Sequence, residues 1–173
     1  DVAKQWVEDI VETTDSLSVK HQISQHIGDV TDLSKFNLYQ NGIYDMINES
    51  TVFVSRFSTA IIEALLLGCP VIYYNPHKEM QPTFLDAIGG FPTPTTKSEL
   101  KDALQDVLEN PEKWLSRAEN FLDFHVAFKD GTSAKIFAKE LIEIAKKKTT
   151  IDSYFSIRSH VKYIIELIAR KFK

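Results

Sequence analysis

Apolar positions are densest between residues 51 and 75, TVFVSRFSTAIIEALLLGCPVIYYN, and their pattern changes twice within that stretch. Residues 51–54 and 71–74 are short β-branched and aromatic runs, while 60–67 holds good helix formers and stops at Gly68. The pattern predicts strand, helix, strand, and two strands joined through a helix run parallel. Neither strand alternates with polar residues, so the sheet is expected to be covered on both faces and the unit to be central in its domain.

Around this centre the periodicities are weaker but readable. Val2, Trp6, Val7, Ile10 and Val11 form a helical stripe over 2–11, expected to pack on a sheet face. Leu17, Val19, His21 and Ile23 alternate with polar residues over 16–23, which predicts a further strand of the sheet. Residues 28–41 are polar and aperiodic and predict a loop able to border a cleft; 43–47 predicts a short helix. Beyond the second strand, 76–82 reads as a turn-rich loop and 84–88 as a short helix. Residues 91–95 read as an extended segment on the sheet edge, where proline is tolerated. Ser98 is expected to cap a helix that turns Leu100, Ala103, Leu104, Val107 and Leu108 to one side, and Pro111 to start the next, over 112–124. The run Asp130-Gly131-Thr132-Ser133 predicts a turn into a helix over 134–146, with Ile136, Phe137, Leu141, Ile144 and Ala145 inward. Finally Ile157, Val161, Ile164, Ile165, Ile168 and Phe172 form a stripe opposite Arg158, Lys162, Arg170 and Lys173, a basic amphipathic helix.

Composition narrows the classes. A chain of 173 residues with 43% hydrophobic content suits one compact domain. It begins at Asp1 without a methionine and carries no signal peptide, no apolar run of spanning length and no low-complexity tract, so it is expected to be part of a longer protein. The single cysteine, Cys69, sits in a Gly-Cys-Pro turn and is expected to be a small core residue in a reducing setting. The net charge of −4 is unevenly spread: eight Lys/Arg against two Asp/Glu make 146–173 +6, so 1–145 carries −10. So acidic a body argues against binding nucleic acid. The domain reading is 1–148 for the α/β body and 149–173 for the basic amphipathic helix. That helix is expected either to pack on protein or to meet an anionic membrane surface.

Glu63 is the only charged residue between Arg56 and His77, on an otherwise apolar helix. A carboxylate there costs free energy unless it is paired, so it is expected to face a polar cleft or meet a donor group. Ser58 and Thr59 stand at the carboxyl end of the first strand, the edge at which open α/β sheets bind ligands. Ser58 lies about 7 Å before Glu63 along a helix axis, a spacing that suits a phosphate followed by a sugar diol. An ordinary helix cap with a locally paired glutamate accounts for the same residues. His77 and Lys78 lie on the ligand edge after the second strand, able to meet a phosphate or simply be solvated. His21 and His26 lack a third metal ligand nearby.

The string SRFSTAIIEALLLGCPVIYYN resembles the nucleotide-sugar-binding segment of two-domain GT-B glycosyltransferases of bacterial capsule and lipopolysaccharide synthesis, and residues 121–141 resemble that family's closing segment. The resemblance implies a Rossmann-like parallel sheet flanked by helices, half of a GT-B fold, with extra C-terminal helices. It implies Ser58 and Thr59 at the donor phosphates, Glu63 at the ribose, Ser55 and Arg56 in the same donor-binding segment, and residues 39–44 near the donor base. Many members have a glutamate eight positions before Glu63, where this chain has Ser55, leaving that sugar-contacting carboxylate without an equivalent. The expected partners are a nucleotide-sugar as donor substrate, a saccharide or lipid-linked acceptor, and an N-terminal GT-B domain that supplies the general base. No cofactor, metal or nucleic acid is implied. The setting implied is cytoplasmic, with the inner face of the cell membrane as its peripheral variant. Rival readings are a nucleotide-sugar epimerase or polyol-phosphate transferase of the same fold, and a non-catalytic α/β interaction module.

Overall fold

The computed structural model describes residues 2–25, 30–56, 58–78 and 89–146. By chain contacts it divides into two compact units, Asp1–Lys129 and Asp130–Lys173. The predicted boundary at 148/149, the short helix at 84–88 and the basic helix after 149 lie outside the described residues.

The first unit is built on the predicted strand–helix–strand centre. Strand β1 (Phe53–Ser55) and strand β2 (Val71–Tyr73) pair in parallel, with Phe53 opposite Val71 and Ser55 opposite Tyr73; helix α3 (Ala60–Leu66) joins them. Three segments precede α3: helix α1 (Val2–Ser16), helix α2 (Ile43–Glu49) and β1. After β2 come α4 (Lys97–Glu109) and α5 (Pro111–His125). Because strand side chains alternate, the two strands serve two cores. Phe53, Val71 and Tyr73 face one side with Met46 and Ile47 of α2, Ile61, Ala64 and Leu65 of α3, and Ala118, Phe121 and Leu122 of α5. Ile72 and Tyr74 face the other with Leu100, Leu104 and Val107 of α4, and Trp6 and Ile10 of α1 close over them. The result among the described residues is a small parallel sheet with helices on both faces, the arrangement the all-apolar strands require.

A third, incomplete strand lies beside β2. Tyr73 N–H donates to Pro92 O and Asn75 N–H to Pro94 O, each at 3.0 Å, an advance of two residues on both chains that is the parallel pattern. The return bonds would need amide hydrogens at 92 and 94, and proline has none. The edge segment is therefore half-paired, which matches its predicted place.

Two predictions fail for identifiable reasons. Residues 16–23 are not a strand. Helix α1 runs to Ser16, helped by Thr13 and Thr14, whose hydroxyls donate to the carbonyls of Asp9 at 2.6 Å and of Ile10 at 2.9 Å. It then closes in a Schellman turn: Val19 N–H reaches Thr14 O at 2.9 Å, Ser18 N–H reaches Asp15 O at 3.0 Å, and Ser18 takes a left-handed φ of 56°. Only Ile23 keeps a strand-like contact, a single bridge to Leu38. Ser98 does not cap α4 either. The cap is Thr96, in a reciprocal box with Glu99: the Thr96 hydroxyl accepts from Glu99 N–H at 3.2 Å, and the Glu99 carboxylate accepts from Thr96 N–H at 3.2 Å.

The second unit begins with a turn in which Thr132 donates its amide and its hydroxyl to the Asp130 carboxylate, at 3.0 and 2.6 Å. Helix α6 (Ser133–Lys146) follows. Its large apolar side chains were expected inward, yet Phe137 is 66%, Leu141 49% and Ile144 59% exposed.

Candidate functional site

The carboxyl end of β1 leads straight into the stretch singled out by its isolated charge. Ser55 is buried on the α2/α3/α5 side, and its carbonyl accepts from Tyr74 N–H at 3.0 Å, so it belongs to the sheet itself. Arg56, half-buried, is the first residue past the strand. Ser58 closes the entry to α3: its hydroxyl oxygen accepts from Ala60 N–H at 3.1 Å and its carbonyl from Ile61 N–H at 3.1 Å. A hydroxyl used in this way as an acceptor still has its own hydrogen to donate. Thr59 is exposed, makes no side-chain cap bond, and accepts at its carbonyl from Ile62 and Glu63.

Glu63 is half-buried in the first turn of α3 and meets Tyr44 of α2. Its negative charge, first among the causes, holds the Tyr44 pKa above the usual tyrosine value. Glu63 thus has the Tyr44 phenol of the same chain within reach of its charge. Tyr44 is 54% exposed, so the pair sits at the surface rather than under it. The neighbouring helix was expected here only from the resemblance; nothing in the local sequence of either helix specifies that Tyr44 and Glu63 meet. The signal available was indirect, namely that a lone carboxylate on an apolar helix needs a partner.

Since β1 and β2 are parallel, the turn after β2 leaves the same edge as Ser58. There Lys78 N–H donates to Asn75 O at 3.2 Å, Lys78 takes a left-handed φ of 50°, and both His77 and Lys78 are exposed. The remaining singled-out groups are elsewhere. His21 Nδ1 lies 2.9 Å from the Thr14 hydroxyl, beside the end of α1. Cys69 is buried where α3 ends, its Sγ 3.6 Å from Ser50 O, and burial alone pushes its thiol up to about 11, which makes it a core residue and no nucleophile at neutral pH. An open groove of about 290 Å³ lies on the opposite side of the sheet, lined by Glu12, Thr13, Ser16, Lys97, Ser98 and Lys101. Its Lys97 is already paired with Glu12 at 2.6 Å.

Compared with known proteins, the chain is 27% identical over 127 residues to the teichoic acid ribitol-phosphate polymerase TarK of Staphylococcus aureus. The match takes in 72% of this chain and 23% of that protein, so the chain spans less than a quarter of the length of this relative. No known family profile matches the chain. Among the described residues no helix is long and apolar enough to cross a membrane.

Proposed function

We propose that this chain is the donor-binding part of a transferase that builds a bacterial surface polymer, and that its nucleotide-activated donor binds at the carboxyl edge of the β1–β2 pair. The observation that carries the reading is the position of Ser58 and Glu63: a serine turn and a half-buried carboxylate follow one another at the ligand edge of a parallel sheet. The likeness to a teichoic acid polymerase supports the class of product.

In this reading the Ser58 and Thr59 hydroxyls and the Arg56 guanidinium hold the donor phosphates, with Ser55 supporting the turn from the sheet. Glu63 accepts the hydroxyls of the ribose, which replace the Tyr44 phenol. Acceptor and general base come from another domain, so the chain alone binds donor and transfers little. Two kinds of transfer fit such a site, glycosyl and polyol-phosphate. The relative is a ribitol-phosphate polymerase, which favours the second.

Calorimetric titration of the 173-residue chain with a panel of nucleoside diphosphates and nucleotide-linked donors tests the assignment. Glu63→Ala is expected to weaken binding by roughly tenfold or more, the loss of a charged hydrogen-bond partner being about 1.5–3 kcal/mol. The 2′,3′-dideoxy form of the best ligand should bind wild type as weakly as the ribo form binds the variant. Equal affinities of wild type and Glu63→Ala would place the donor elsewhere.

A further inference from the structure

A second turn stands at the ligand edge of the sheet, beside the one at Ser58. It is Asn75-Pro76-His77-Lys78, and it closes directly on the end of β2. Asn75 is buried and its N–H still donates to Pro94 O at 3.0 Å, while its carbonyl accepts from Lys78 N–H at 3.2 Å. Pro76 takes the second position of the turn, where its fixed φ is preformed. The turn therefore holds His77 and Lys78 exposed and close to the strand end. Lys78 is held there with a left-handed φ of 50°, a conformation that glycine adopts without cost and a residue bearing a Cβ does not. Of the two non-glycine residues of this kind among the described ones, Ser18 closes a helix, where left-handed residues are common; Lys78 follows a strand. A lysine kept where glycine is favoured, at a ligand edge, points to a use for its side chain.

We infer that Lys78 anchors the donor's phosphate farther from the ribose, which makes the donor a nucleoside diphosphate derivative. The inference rests on the donor-site reading: with Glu63 holding the ribose and Ser58 the phosphate next to it, the outer phosphate is what remains for the β2 turn. The register supports the reach. Ser55 is opposite Tyr73 and its carbonyl takes Tyr74 N–H, so the two chains leave the sheet side by side, about 4.8 Å apart as neighbouring strands are. The four-carbon stem of a lysine spans such a gap. The charge is also uncommitted. Among the described residues Lys78 has no carboxylate partner, whereas Lys35, Lys97, Lys113 and Lys129 each have one. Arg56 and Lys78 against Glu63 make 51–78 +1, while 1–145 as a whole carries −10. An acidic body repels a diphosphate everywhere except where local cations offset it, and the strand–helix–strand centre is such a place.

Calorimetric titration of the full chain with a nucleoside monophosphate and the diphosphate of the same base tests it. Wild type is expected to bind the diphosphate about tenfold tighter or more, the size of one charge-assisted contact. Lys78→Gln should lose that preference and keep the monophosphate affinity within about twofold, whereas Glu63→Ala should weaken both nucleotides and keep their ratio. Lys101→Gln, in the groove on the opposite side of the sheet, controls for net charge and should behave as wild type. Lys78→Gly relieves the left-handed strain, so it should melt no lower than wild type while losing the preference as Lys78→Gln does. Equal binding of the two nucleotides by wild type, diphosphate binding that depends on Glu63 and not on Lys78, or an equal loss in Lys101→Gln overturns the inference and leaves the donor site standing. A Lys78→Gly chain that melts below wild type overturns it too, since the lysine then serves the turn. No nucleotide bound by wild type, or equal binding by wild type and Glu63→Ala, overturns the donor site itself and this inference with it.

Discussion

The two faces of the β1–β2 pair are held by different physics. On the α1/α4 side, the apolar packing of Trp6, Ile72, Tyr74, Leu100, Leu104 and Val107 is joined by polar groups that fix the alignment. Trp6 donates its indole N–H to Tyr74 O at 2.9 Å, the Tyr74 hydroxyl donates to Asp9 at 2.8 Å, and Lys97 of α4 reaches across to Glu12 of α1 at 2.6 Å. On the α2/α3/α5 side, volume does the holding. Phe121 lies edge-on to Phe91 with ring centroids 5.1 Å apart, and Gly90 passes so close that an added Cβ would sit 2.8 Å from that of Phe121. Directional bonds set a helix's position and tolerate small changes of volume; close packing does the reverse. The candidate site belongs to the packed side, where α2 and α3 share one core with the strands and bring Tyr44 near Glu63.

The comparison can be broken first on the packed side. Phe121→Ala removes a fully buried ring of that core and is expected to destabilise by about 3–5 kcal/mol, read as a lower denaturant midpoint at unchanged slope. A loss under about 1.5 kcal/mol, the size of a volume-conserving change, would mean that this face is not close-packed.

The clasped side should respond less to truncation and more to pH. Tyr74→Phe keeps the ring and leaves the Asp9 carboxylate without its phenol, for an expected loss of about 1–3 kcal/mol at pH 7. Burial first, then the hydrogen bond to Asp9 and its charge, raise the Tyr74 pKa well above the usual value. The folded protein therefore holds that proton more tightly than the unfolded chain. The contribution is complete below the unfolded value of about 10 and is lost as pH rises towards the folded one. Wild type should lose stability more steeply above about pH 10 than Tyr74→Phe does, and parallel curves for the two would remove the phenol from the clasp.

The smallest effects come from two helix ends of the same design, one on each face. Helix α3 closes at Gly68, with Cys69 N–H to Ala64 O at 2.9 Å and φ of 75° at the glycine; α1 closes identically at Ser18. Gly68→Ala should cost about 1–2 kcal/mol, the strain of a left-handed residue bearing a Cβ, and Ser18→Gly should gain up to about 1 kcal/mol by relieving it. Melting curves of the two variants should shift in opposite directions. A Ser18→Gly protein less stable than wild type would show that the serine side chain holds the turn.

Much of this architecture was legible along the chain, and the reason is locality. The strand–helix–strand centre rests on residue type and period, the stop at Gly68 on one conformational permission, and the half-paired edge on prolines that lack a donor; each is written within a few residues of where it acts. The Thr96–Glu99 box was equally local and was misassigned to Ser98 because both are good caps, two positions apart. The alternation over 16–23 was real, but alternation alone makes no strand. A strand needs a neighbour, and here the bonds that α1 could complete within itself, through Thr13, Thr14 and the turn at Ser18, took those residues first. For the site, the sequence by itself determined that Ser58 follows a strand and that Glu63 needs a partner. Only the tertiary structure decided that the partner is Tyr44, because that pairing depends on two helices, 19 residues apart at these positions, being seated on one core by Ile43, Ala60 and Ile62.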